Sequence, residues 1–141
     1  MILVYNEIMK KGFFTHIDKA TLNNNTFRTV LYTSTHSQLV LMSLKPGEEI
    51  GFEVHEENDQ FFRFEGGKGK VFINESQYEV ADGDAIIIPA RAKHNVINVS
   101  ESEDLKMYTI YSPAHHKDGT IHATKTEAEA SNEEFDGVTT E

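Results

Sequence analysis

The chain has no cysteine. That absence excludes a disulfide framework, thiolate metal sites and cysteine nucleophiles, and leaves His, Asp, Glu and Gln as the side chains able to ligate an ion. Long apolar runs are missing as well. The densest, Ala85 to Ala90, is far too short to cross a bilayer. The opening MILVYNEIMKKGFF is apolar only in short pieces, broken by Asn6, Glu7, Lys10 and Lys11, and has no small-residue cleavage site. It does not read as a signal peptide, so a soluble, cytoplasmic protein with no membrane partner is expected. Basic residues are also scarce. Thirteen Lys and Arg stand against 23 Asp and Glu, a formal net charge of -10, with no basic cluster. Phosphate backbones are bound by clustered cations that release counterions, so nucleic acid is not an expected partner. Part of the excess charge is local: Glu127, Glu129, Glu133, Glu134, Asp136 and Glu141 follow one another without a Lys or Arg between 127 and 141. This reads as a solvated acidic tail.

What is present suits one compact all-β domain: 141 residues, 38% of them hydrophobic. From about Thr26 to Tyr111 short β-branched and aromatic runs alternate with turn residues. The runs predict strands over 27–33, 38–45, 51–55, 60–66, 69–73, 77–80, 84–89, 94–99 and 105–111. Pro46-Gly47, Asn58-Asp59, Gly66-Gly67, Asn74-Glu75 and Asp82-Gly83 supply the turns between them. No long amphipathic helix fits, which excludes the βαβ dinucleotide folds. The expected layout is an N-terminal extension over 1–25 with a possible edge strand, a barrel over 26–112, and a C-terminal loop, short helix and acidic tail over 113–141. Thr21-Leu-Asn-Asn-Asn25 reads as a loop. Thr124-Lys-Thr-Glu127 fits a capping box, which predicts a helix from about Lys125 to Glu134.

Two stretches carry the chemistry. The first runs from Pro46-Gly47 through Glu53-Val54-His55 and Gln60 to Gly66-Gly67; the second is Gly83, Pro89, His94 and Asn98 at intervals of six, five and four. Matches of that kind at fixed spacing arise by chance at roughly one start in 10⁵. Together they resemble the two signature motifs of the cupin superfamily, over roughly residues 26 to 112. The family's first motif reads Gly, five residues, His-x-His, three or four residues, Glu, six residues, Gly. Here Glu53 stands in the first histidine position and His55 in the second, and the second motif places its histidine on His94. The family's glycine two residues after the proline is replaced by Arg91. The resemblance implies a double-stranded β-helix, a jelly-roll barrel of two antiparallel sheets, with a metal inside on ligands from both motifs. The closing YSPAHHKDGTIHATKTEAE is most similar to single-domain bacterial cupins labelled sugar-phosphate-isomerase-like.

The spacing is consistent with that implication. Residues i and i+2 of a strand share a face, so Glu53 and His55 can hold one ion from a single strand. For the next ligand Asp59 and Gln60 compete, and a glycine follows each at the same interval, Gly66 or Gly67. Strand phase favours Gln60: with Gln60 inward, Phe62 and Phe64 are inward too, whereas an inward Asp59 brings Arg63 and Glu65 into the barrel. The expected ligand set is Glu53, His55, Gln60 and His94, with Asp59 as second choice for Gln60. Two histidines and one carboxylate are the set of non-haem iron oxygenases, and mixed O and N donors suit Fe, Mn, Ni or Zn. A metal-free barrel, with Glu53 and His55 hydrogen-bonded in a polar cavity, is the competing reading.

Phe62, Phe64 and Val96 are candidate pocket residues, although aromatics at period two also build cores. His115, His116 and His122 follow the last strand in a loop with Pro113 and Gly119. They either stay at the surface or fold over the barrel mouth, where His115, His116 and Tyr111 are candidate acid, base or hydrogen-bonding groups. The expected function is a small mononuclear-metal enzyme, dioxygenase-like or sugar-phosphate-isomerase-like, acting on a small polar molecule. The alternative is a non-catalytic module that senses a metabolite or a metal. Outward-facing Ile97 and Val99 suit a homodimer interface.

Overall fold

The structure is a computed structural model that describes residues 9–141. The predicted runs form β1 (Arg28–Thr33), β2 (Gln38–Leu44), β3 (Glu53–Val54), β4 (Asp59–Gly66), β5 (Lys68–Ile73), β6 (Ser76–Ala81), β7 (Ala85–Ile88), β8 (Lys93–Asn98) and β9 (Leu105–Ser112). They are joined by β10 (Ile121–His122) and by two short helices, α1 (Ile17–Asn23) and α2 (Lys125–Ala130). One sheet has the order β10-β1-β2-β9-β4-β7 and the other β3-β8-β5-β6, with antiparallel pairing throughout. This is the all-β double-stranded β-helix, with its short C-terminal helix, that the motifs imply.

Period-two alternation decides which side chains meet between the sheets. Met42 and Leu44 of β2, Phe62 and Phe64 of β4, and Leu105 and Met107 of β9 face Val71 of β5 and Val96 of β8, all buried in one cluster. Each such side chain stabilises the fold by roughly 1.5–3 kcal/mol relative to exposure. Ile97 is partly buried and Val99 exposed, as their outward phase requires.

Both termini depart from the sequence reading. Residues 17–23 are helix, not loop or edge strand; the part of the edge-strand expectation that falls on residues 1–8 lies outside the described residues. The Thr and Asn content of this segment argues against a helix, and packing overrides it. Thr21 is fully buried with its hydroxyl on the Ile17 carbonyl at 2.6 Å, and α1 packs on β9, β4 and β2. The C-terminal helix stops at Ala130, short of Glu134. Its cap holds in modified form: the Thr124 hydroxyl accepts from the Glu127 amide, while the Glu127 carboxylate reaches the Ala123 amide at 2.8 Å.

The acidic tail is solvated at Glu127, Glu129, Glu134 and Asp136, as expected, but its end is anchored. Thr140 exchanges hydrogen bonds with the Thr33 backbone, and the Glu141 carboxylate accepts from the Lys11 and Gly12 amides and the Tyr32 hydroxyl. Charge pattern alone carries no record of such long-range acceptors. Among the described residues no helix is long and apolar enough to cross a membrane.

Candidate metal centre

β3 is only two residues long, yet it positions the first ligating pair. Glu53 and His55 point inward while Val54 between them is exposed, and Glu53 lies directly across from His94 in the β3–β8 pair. The His55 carbonyl accepts from the Arg91 amide at 2.8 Å. Arg91 holds the left-handed backbone, φ 75°, that the family's glycine adopts without strain, so the turn survives the substitution. Glu53, His55 and His94 each offer a ligand atom within 4.8 Å of the others, a group able to hold a metal ion.

The hydrogen bonding prepares these atoms. His94 Nδ1 lies 3.1 Å from the Ala92 carbonyl, which only accepts, so Nδ1 carries the proton and Nε2 is left as a free donor atom. Burial holds the His94 pKa below the usual histidine range against the opposing pull of that carbonyl. Burial pushes the Glu53 carboxyl up, but His55, Arg28 and His94 outweigh it and hold the group below the carboxylate range. His55 Nε2 comes within 2.9 Å of Glu53 Oε2 without hydrogen-bond alignment, and it remains a buried atom with no partner. Two atoms that could ligate one ion would have this arrangement.

Gln60 faces the interior from β4, and Asp59 does not. The Gln60 amide donates to the Thr109 hydroxyl at 3.1 Å, while its oxygen is buried and unpaired. Asp59 is exposed and accepts from the Ala90 amide at 2.9 Å, which removes it as second choice for Gln60. Buried polar atoms without partners are rare in native folds. Among the described residues there are four, of which His55 Nε2 and Gln60 Oε1 belong to this set, and Arg28 Nε lies close by. The fourth, Arg63 Nε, sits 3.0 Å from the Glu65 carboxylate. The donor chemistry and the bare atoms fit a divalent ion.

The histidines after β9 are not surface residues. His116 and His122 are buried and His115 is half-buried. The His115 ring packs edge-on against His55 at 4.3 Å between centroids, and burial pushes its pKa down to about 4. Tyr111, buried and 5.7 Å from the His55 ring, is pushed up strongly by burial and stays protonated. His116 connects it to the tail: Nε2 lies 3.2 Å from the Tyr111 hydroxyl and Nδ1 2.6 Å from Glu133. A carboxylate only accepts, so Nδ1 carries the proton, Nε2 accepts, and Tyr111 donates.

Burial pushes Glu133 up, yet the His116 hydrogen bond and the Lys117 amide outweigh it and bring the pKa to about 2. A carboxyl depressed on folding stabilises above its unfolded value of 4.5 and loses that contribution as pH falls towards 2. Glu133→Ala is therefore expected to destabilise metal-free protein at pH 7 by about 1–2 kcal/mol. In melting curves the gap to wild type closes between pH 4.5 and 2; a gap that stays constant over that window contradicts the pairing.

A cavity of about 240 Å³ reaches this group, lined by Arg28, Glu53, His116, Lys125, Glu129 and Glu133 among others. Phe62, Phe64 and Val96 do not line it and are fully buried core residues, a correction to their reading as pocket. Arg28 and Glu133 were not legible as site residues. The available signal for Arg28 was phase, since it shares the inward face of β1 with Val30. A larger cavity, about 390 Å³ around Lys68, Lys70, Glu79 and Val99, shares no residue with the candidate metal group.

Two facing antiparallel sheets enclosing a Glu-His-His group define a double-stranded β-helix protein with a candidate internal metal site. Residues 40–111 match the Cupin_2 family, described as a cupin domain, and the chain belongs to that family. It is 46% identical to the uncharacterized protein YrkC of Bacillus subtilis over 134 residues, 91% of this chain and 72% of that protein. Over 119 residues it is 41% identical to the uncharacterized protein L612 of Acanthamoeba polyphaga mimivirus, covering 82% of this chain and 74% of that one. The crystal structure of BH2720 from Bacillus halodurans is similar with a TM-score of 0.83 at 42% identity, covering 88% of this chain and 98% of that chain.

Proposed function

We propose that this chain is a metal-dependent enzyme that moves a proton within a small polar molecule bound beside Glu53, His55 and His94. The observation that carries the reading is the convergence of three ligating side chains with the hydrogen-bonded series Tyr111, His116 and Glu133. A divalent ion of Fe, Mn, Ni or Zn, held by Glu53, His55 and His94 with Gln60 as a further oxygen donor, would supply Lewis acidity towards an oxygen of the bound molecule. His115, neutral at neutral pH, is the group placed to accept a proton beside His55. Tyr111 keeps its proton and donates its hydrogen bond to His116 Nε2. Glu133 fixes the His116 tautomer, which in turn orients the Tyr111 hydroxyl. α2 and the tail supply Lys125, Glu129 and Glu133 to the cavity wall.

The oxygenase-like reading is favoured by a different observation, the two-histidine, one-carboxylate composition. One experiment separates the readings. Protein loaded in turn with Fe, Mn, Ni and Zn is given hydroxyketones and sugar phosphates in deuterated solvent, and diketones or catechols with an oxygen electrode. Deuterium incorporation at carbon, lost in His115→Asn, is the expected result. Oxygen uptake without deuterium exchange replaces the proton-transfer reading with the oxygenase one. Metal binding without either leaves a non-catalytic sensor.

A further inference from the structure

We propose that Arg28 anchors an oxyanion, a carboxylate or phosphate group, on the small molecule that enters the cavity beside Glu53. This rests on the metal-dependent reading and specifies its substrate as a small organic anion. Arg28 opens β1 and is 8% exposed. A guanidinium stays charged at any pH a protein meets and presents five N–H donors in a fixed fork. Burying it without a counter-charge is among the costliest choices a fold makes, so a buried arginine ordinarily faces a carboxylate.

Arg28 lacks one. None of the ion pairs among the described residues includes it. Its side-chain hydrogen bond runs from Nη1 to His122 Nδ1 at 3.1 Å, made possible when β10 pairs His122 opposite Arg28. The Phe27 ring lies 5.3 Å from the guanidinium carbon. Nε is buried with no partner, and Nη2 has none among the described residues. Nε and Nη2 form one edge of the guanidinium, the edge that takes a carboxylate or phosphate through two parallel hydrogen bonds.

The nearby acidic groups do not fill that role. Glu133, on the same cavity wall, is committed to His116 and to the Lys117 amide at 2.9 Å. Glu53 belongs to the ligating group. Charge balance points the same way. A dication and Arg28 outweigh Glu53 and Glu133 by one positive charge, and Lys125 and Glu129 cancel on the same wall. A cavity with that surplus favours an anionic guest.

The protein has three arginines, Arg28, Arg63 and Arg91, so its Nε–Hε resonances are few enough to assign individually in ¹⁵N-labelled protein. Malonate, inorganic phosphate and neutral malonamide are titrated into metal-free and zinc-loaded protein, and zinc content is measured separately. The expected result is a saturable shift of the Arg28 resonance with malonate or phosphate and none with malonamide. The anion that binds more tightly identifies carboxylate or phosphate as the recognised group. Arg28→Lys and Arg28→Met should weaken that anion by about ten-fold or more while zinc content is unchanged. An Arg28 resonance in wild type that no anion moves overturns the anchor, as does unaltered affinity in both variants. If wild type holds no zinc but its Arg28 still responds, the anchor stands and the metal reading fails; zinc-loaded protein whose Arg28 never responds fails the anchor alone.

Discussion

Alanine at position 94 is expected to weaken divalent-metal binding by more than about 100-fold. Loss of an outer hydrogen-bonding partner of a ligand already brings about 10–100-fold, and His94 is itself a member of the candidate ligating group. Its replacement leaves Glu53 of β3 and His55 just after it, with nothing from β8 to close the site. Metal at about 1,000 times its dissociation constant stabilises a native state by about 4 kcal/mol, so wild type should melt well above its metal-free form and His94→Ala should not. The variant also leaves the buried Ala92 carbonyl without its imidazole donor, at about 1–3 kcal/mol. The comparison is therefore the metal-induced shift within each protein, measured by calorimetry with and without chelator. Gln60→Ala should weaken binding less, by about 10-fold, because a neutral amide oxygen is a poorer donor than imidazole. An equal metal-induced shift in wild type and His94→Ala would remove His94 from the site.

The barrel and the candidate ligating trio were readable because the two motifs resemble those of cupins, and strand phase agreed with them. Alternation along β4 puts Gln60, Phe62 and Phe64 inward and leaves Asp59 outside, and one-residue slips would bury Arg63 and Glu65 instead. Elements held by distant partners were not readable. α1 forms because Thr21 and its neighbours pack on the barrel, against their own propensity, and β10 forms because a two-residue segment finds the free edge of β1. Glu133 looked like one more tail carboxylate until the chain returned it to His116, 17 residues earlier. Arg28 followed the inward phase, yet nothing in a single strand says whether a buried guanidinium will find a carboxylate. Aromatic residues at period two fit pocket and core equally well in sequence; in the fold, the packing of Phe62 and Phe64, with ring centroids 6.1 Å apart, makes them core.

The second large effect concerns the glycine that ends the first motif. Sequence spacing allowed either Gly66, counted from Asp59, or Gly67, counted from Gln60, and backbone geometry separates them. Gly67 has φ +88°, a region in which L side chains are strained by about 1–2 kcal/mol. A Cβ there would also overlap the Asp104 carbonyl and meet the Leu105 Cα at 3.0 Å. These are backbone atoms at the start of β9 that cannot rotate away, and overpacking of this kind adds about 1–3 kcal/mol. Gly67→Ala should therefore destabilise the protein by about 2–5 kcal/mol, seen as a lower denaturation midpoint with an unchanged slope. Gly66 lacks the positive φ, and an added Cβ meets first the end of the Leu22 side chain at 3.1 Å, which can move. Gly66→Ala should change stability by less than about 1 kcal/mol. The pair of variants thus tests the register of the motif by stability alone, with no metal or substrate in the assay. If Gly66→Ala proves the more damaging, the motif is counted from Asp59, and the place given to Gln60 must be reconsidered despite its inward side chain.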